Sequence, residues 1–131
     1  MNLYISFQDV SRRFNWGRQR CSRMQILRIA QKTYPETKGG GAYHVHAMSR
    51  DQAALGHDVT VVTVGDGPRY QERSGYSVIQ CPPRLSLMGN DMSPCVWRHL
   101  RAVSEYDVIH AHSHLYFSTN LAALRRRLSE V

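Results

Sequence analysis

The chain has 131 residues, 42% of them hydrophobic and 21% charged, which allows one globular domain with a real core and excludes a disordered chain. No apolar run approaches the ~20 residues that a bilayer span requires. The net charge of +7 resolves into +4 over residues 1–23 and +3 at Arg125–Arg127, with nine basic and nine acidic residues elsewhere, so nothing marks a nucleic-acid-binding face and nucleic acid is excluded as a partner.

Residues 1–23 differ from the rest. Tyr4, Phe14 and Trp16 are scattered among arginines without a 2.0 or 3.6 period. This segment is expected to be a disordered or weakly helical basic leader, explained either by a mis-assigned start or by contact with a membrane surface. It has no basic n-region followed by an apolar stretch, so a cytoplasmic location is expected.

From Met24 to Val131 the signals alternate. Ile26–Ala30 reads as a buried first strand, followed by a loop through Tyr34-Pro35 to Gly39-Gly40-Gly41. Ala42–Leu55 has Val45, Met48, Gln52 and Leu55 near helical spacing, and Gly56 stands where a helix C′ glycine belongs. Val59–Val64 is β-branched throughout, as in a strand covered on both faces. Ser77–Cys81 is a further strand that Pro82-Pro83 ends, and residues 84–92 read as a loop. Ser93-Pro94 opens a helix with Val96, Leu100 and Val103 on one face. Val108–His112 is a strand, and Leu115–Leu128 a final helix with Leu121, Leu124 and Leu128 aligned. The order predicts an α/β fold: a Rossmann-like open, mainly parallel sheet with helices on both faces. Fewer strands are present than a full doubly wound sheet uses, so the unit reads as the front of something longer.

Two features could carry chemistry. The Gly39-Gly40-Gly41 loop opens a helix at the carboxyl end of a strand, where ligands of open α/β sheets bind and where free amides suit a phosphate. Its spacing is not that of a dinucleotide fingerprint, and no acidic residue ends the second strand. The second feature is His110-Ala111-His112-Ser113-His114 at a strand end, where alternate side chains share a face. Three imidazoles could hold zinc, although no further carboxylate ligand follows at a suitable spacing. The plainer alternative is that His110 is buried and hydrogen-bonded while His112 and His114 line the loop. His44 lies within reach of the glycine loop. His46, two residues on, faces elsewhere and is expected at the surface. Cys21, Cys81 and Cys95 are odd in number, lack C-x-x-C spacing and read as reduced thiols.

Residues 24–128 resemble the N-terminal domain of GT-B glycosyltransferases of the family 4 type. The matching residues are Ile26–Ala30, Tyr34-Pro35 with Gly39-Gly40-Gly41-Ala42-Tyr43-His44, Ala54-Leu55-Gly56-His57-Asp58 with Val59–Thr63, and Tyr106-Asp107-Val108-Ile109-His110-Ala111-His112. The resemblance implies a retaining transferase that moves a sugar from a nucleotide-sugar donor to a glycan or lipid acceptor, with no metal and no other cofactor needed. It places Gly39 and Gly40 at the donor phosphate or sugar, with Gly41 and His44 beside them. His112 falls beside the transferred sugar as the catalytic residue, flanked by His110 and His114. The family's second Rossmann domain, with its paired glutamates, has no counterpart here. The chain is therefore expected to be half an active site, inactive alone, with a companion C-terminal domain as partner. Arg125–Arg127 and the leader are expected to contact anionic lipid at the inner membrane face. Two other readings stay open: a non-catalytic binding or partner subunit on the same fold, and a zinc hydrolase using His110, His112 and His114.

Overall fold

A computed structural model describes residues 22–112 and 117–129. The expectations for His114, for Cys21 and for nearly all of the leader lie outside those residues. Seven strands and three helices follow in order: β1 (Gln25–Ile29), α1 (Gly40–Ala54), β2 (Asp58–Val64), β3 (Tyr70–Arg73), β4 (Tyr76–Cys81), β5 (Leu85–Leu87), β6 (Asn90–Met92), α2 (Pro94–Leu100), β7 (Val108–Ala111) and α3 (Phe117–Ser129), with a single 3-10 turn at Val103–Glu105. The main sheet has the order β3-β4-β2-β1-β7. All its pairings are parallel except that of β3 with β4. The expected α/β Rossmann-like sheet is therefore present, with an antiparallel edge strand added.

Helices cover both faces. Ile26, Ala30, Val59, Val61, Tyr76 and Val78 pack beneath Val45 of α1. Leu27, Ile29, Val62, Val64 and Cys81 pack on the other face against Val96 and Leu100 of α2 and Ala122 of α3. Burial on both sides explains why β2 is a run of valines: each neighbour in sequence points into a different apolar layer. Among the described residues no helix is long and apolar enough to cross a membrane.

Several local expectations need correction. Gly40 and Gly41 belong to α1, with Gly39 as its N-cap, so the glycine loop ends one residue into the triplet. The loop at 84–92 contains the hairpin β5–β6, turned by Met88 (φ 53°) and Gly89 (φ 75°). Both turn residues are left-handed, as a two-residue hairpin turn requires, but methionine is not a residue that announces one. The strand β3 escaped detection because Tyr-Gln-Glu-Arg is polar and half-exposed, as suits a sheet edge. Leu55, Leu124 and Leu128 are periodic yet at least half exposed, and α3 buries Ser118 and Ala122 instead.

The expectation of reduced thiols does not hold for two of the cysteines. Cys81 and Cys95 form a disulfide, with Cα atoms 5.5 Å apart. Fourteen residues separate them in sequence, and adjacency arises only because α2 packs back across the end of β4.

Gly56 behaves as its position suggested. It adopts φ +93° directly after the α1 C-cap, and a Cβ there would meet nothing within 4 Å. Gly56→Ala is therefore expected to lower stability by about 1 kcal/mol through backbone strain alone, without a packing clash. Urea unfolding of the variant measures this directly, and an unchanged midpoint would show that the turn relaxes.

Candidate functional site

The order β4-β2-β1-β7 reverses direction between β1 and β7, since β2 lies on one side of β1 and β7 on the other. At such a switch point the loops leaving the strand ends diverge and open a crevice at the carboxyl edge of the sheet. Arg28 of β1 is in register with His110 of β7, and His112 follows at the strand's end. The backbone of His112 is fixed from two sides. Its N–H donates to the Ile29 carbonyl at 2.9 Å, and its carbonyl accepts from Thr119 Oγ1 of α3 at 2.9 Å.

Arg28 organises the cluster. It is fully buried, and the long side chain lies between the sheet and α1. Its Nη1 donates to His110 Nδ1 at 3.1 Å and to His112 Nε2 at 3.2 Å, while Nη2 donates to Gln52 Oε1 on α1. Among the described residues, Arg28 Nε has no hydrogen-bond partner. A guanidinium can only donate, so both imidazole nitrogens facing it must be the unprotonated ones. The protons then sit on His110 Nε2 and His112 Nδ1, which leaves His112 with one N–H free to donate elsewhere.

The rings are arranged to match. His110 and His112 stack with centroids 4.1 Å apart and planes 21° from parallel. The exposed His44 ring of α1 meets His112 edge-on at 6.3 Å. Burial holds His112 down to about 3, with His110, Arg28 and His44 adding to the effect. His110 is lowered by burial first and then by Arg28 and His44. Burial also draws Arg28 below its ordinary value, but a guanidinium keeps its charge at any physiological pH. The cluster thus pairs a buried fixed cation with neutral, half-buried imidazoles.

Of the residues singled out from sequence, the fold brings His44, His110 and His112 together and sets the Gly39–Gly41 segment in the turn before His44 on the same helix. No side chain caps α1, and its first turn carries no acidic residue. Its first amides therefore lack partners within the helix. Cβ atoms built on Gly39, Gly40 and Gly41 would meet nothing within 4 Å. His46, expected at the surface, is half-buried instead: its Nδ1 lies 2.8 Å from the Tyr76 hydroxyl, and its ring packs against Tyr34 at 5.3 Å. The zinc arrangement does not fit these residues. The His110 and His112 nitrogens that point inward already accept from Arg28, and a divalent cation between them would sit against a guanidinium.

Sequence reasoning missed Arg28 and Gln52. The available signal was a lone charge inside Ile-Leu-Arg-Ile-Ala, since a charged residue in a strand buried on both faces needs partners. It also missed the hollow of about 370 Å³ at the carboxyl ends of β2 and β4, lined by Thr33, Glu36, Gly65, Gly67, Gln80 and Asp91. Gln80 Oε1 accepts from the Gly67 amide at 2.8 Å there, and a Cβ on Gly67 would overlap the Gln80 amide. Glu36 on its rim is paired with Arg73 at 2.6 Å.

Two comparisons with known proteins bear on this site. Residues 38–130 match the model of Glycosyltransferase Family 4. The chain is also similar to an uncharacterised glycosyltransferase of Methanocaldococcus jannaschii, 30% identical over 98 residues covering 68% of this chain. The match spans 25% of that relative's length.

Proposed function

This chain belongs to glycosyltransferase family 4, and from that premise we propose that it forms the acceptor-side wall of a retaining sugar-transfer site, taking a nucleotide-sugar donor and a glycan or lipid acceptor. The observation that carries this reading is the juxtaposition, at one switch point, of an uncapped glycine-rich helix start with a neutral, oriented His112. The glycines leave the helix amides open, so a phosphate can approach the positive end of α1. His112 Nδ1–H is the donor that would meet a sugar hydroxyl. Arg28 is the positioning residue beneath it, fixing the tautomer and supplying a positive field under the leaving phosphate. His110 buttresses His112 by stacking, and His44 closes the cluster from the helix side.

The chain spans about a quarter of the relative it matches. Donor binding is accordingly proposed to be shared with a companion domain, and transfer by this chain alone to be absent. The reading as a non-catalytic binding subunit differs only in whether such a domain completes the cleft.

The test is an amide and histidine NMR titration of the chain with UDP-glucose, UDP-N-acetylglucosamine and GDP-mannose in parallel. One donor is expected to shift the Gly39–Ala42 amides and the His112 ring. His112→Asn should weaken that binding by about 10-fold, the usual worth of one hydrogen bond to a charged or polar ligand. Shifts confined to other surfaces for every donor would overturn the assignment.

A further inference from the structure

Among the described residues, a second cluster of chemistry-bearing side chains lies on the opposite face of the sheet, at the carboxyl end of β4. Cys81 is its last residue and is fully buried; Cys95 and His99 are half-buried on α2. Four residues apart on one helix, Cys95 and His99 share a face. The two sulfurs and a ring nitrogen of His99 lie within 4.8 Å of one another. We propose that Cys81, Cys95 and His99 form a redox-gated site for a zinc-like divalent cation, closed while the disulfide stands and opened when it is reduced.

The chemistry of the donor set fits. Two thiolates and an imidazole supply three ligands of the kind zinc prefers, and the partial exposure of Cys95 and His99 leaves a fourth position for water. Burial, followed by the nearby Arg98 and Arg69, keeps His99 in the neutral form that ligates. Two thiolates would neutralise the charge of one divalent cation. Packing by Val96, Leu100 and Ile79 gives the site an apolar shell. Reduction by a dithiol delivers two electrons and two protons to the cysteine sulfurs while the dithiol closes to its own disulfide. Metal binding then displaces both thiol protons. The α2–β4 tether is thereby kept in either state, as a covalent bond or as a coordinated ion. This site is independent of the sugar-transfer reading, because none of its residues belongs to the histidine cluster.

Titration with Co²⁺ as the probe, after reduction with a phosphine that is then removed under inert gas, reads the coordination directly. The reduced protein is expected to bind one Co²⁺ with intense tetrahedral visible bands and thiolate charge-transfer absorption, both displaced by Zn²⁺. The oxidised protein should show neither. Cys21→Ser should leave the spectrum intact. His99→Ala should weaken binding by at least the roughly 10-fold that even an outer-sphere partner of a ligand is worth. Cys95→Ser should abolish the charge-transfer band of a two-thiolate site, with unchanged far-ultraviolet circular dichroism showing that the variants fold. A reduced protein without tetrahedral bands would overturn the proposal. So would a spectrum that survives in the oxidised protein, depends on Cys21, or ignores His99.

Discussion

Acidification from about pH 7 to about pH 4 is expected to destabilise the fold by on the order of 2 kcal/mol through His112 alone. The folded state holds His112 at about 3, against an ordinary value of 6.5. Burial is the main cause, followed by the positive neighbours His110, Arg28 and His44. Above pH 6.5 neither state is protonated, and the stabilisation is fully present. As the pH falls below that value the unfolded chain takes up a proton that the folded chain refuses, and stability drops until the pH nears the folded value. The partial contact of the ring with water trims the effect below the full linkage figure. His110, lowered by burial and by Arg28, acts with the same sign. Urea unfolding across this range measures the slope. In His112→Asn, which retains an acceptor for Arg28, the slope should fall by about one proton. Superimposed slopes would mean that the ring is not held against the guanidinium.

The double variant Gly40→Ala, Gly41→Ala is expected to move stability and ligand binding in opposite directions. Both residues are helical, and a Cβ on either meets open space. Alanine therefore lowers the entropy of the unfolded chain without a clash, for a gain of about 1 kcal/mol over the pair. If the glycines serve to let a phosphate reach the α1 amides, the added methyls occupy that approach. Affinity for the donor identified by titration should then fall by more than about 10-fold, or ~1.4 kcal/mol. Thermal unfolding and the NMR titration read the two effects separately. A variant that is more stable and binds equally well would show that the triplet serves only as a helix start.

The valine run of β2, the C′ glycine at Gly56 and the Ser93-Pro94 helix start carry local physics, and each appears where its pattern indicated. The α/β order was legible for the same reason, because strand and helix periods are written within one element. The family was legible as well: four short segments in order pointed to family 4 glycosyltransferases, and residues 38–130 match that family. The polar edge strand β3 and the Met88-Gly89 hairpin were not legible. Their stability comes from pairing partners and left-handed turns rather than from apolar periodicity.

What the amino-acid sequence determined by itself was therefore the three helices and the parallel strands β1, β2, β4 and β7, with His112 at the end of the last strand and the glycines at the start of the first helix. The tertiary structure alone decided that Arg28 and Gln52 stand beneath His110 and His112, that His46 turns toward Tyr76, and that Cys81 meets Cys95. Each of these contacts joins residues between 14 and 84 positions apart. No local period encodes such a distance. Only the parallel register of β1 with β7, and the packing of α1 and α2 on opposite faces, brings those side chains together and sets which nitrogen carries the proton.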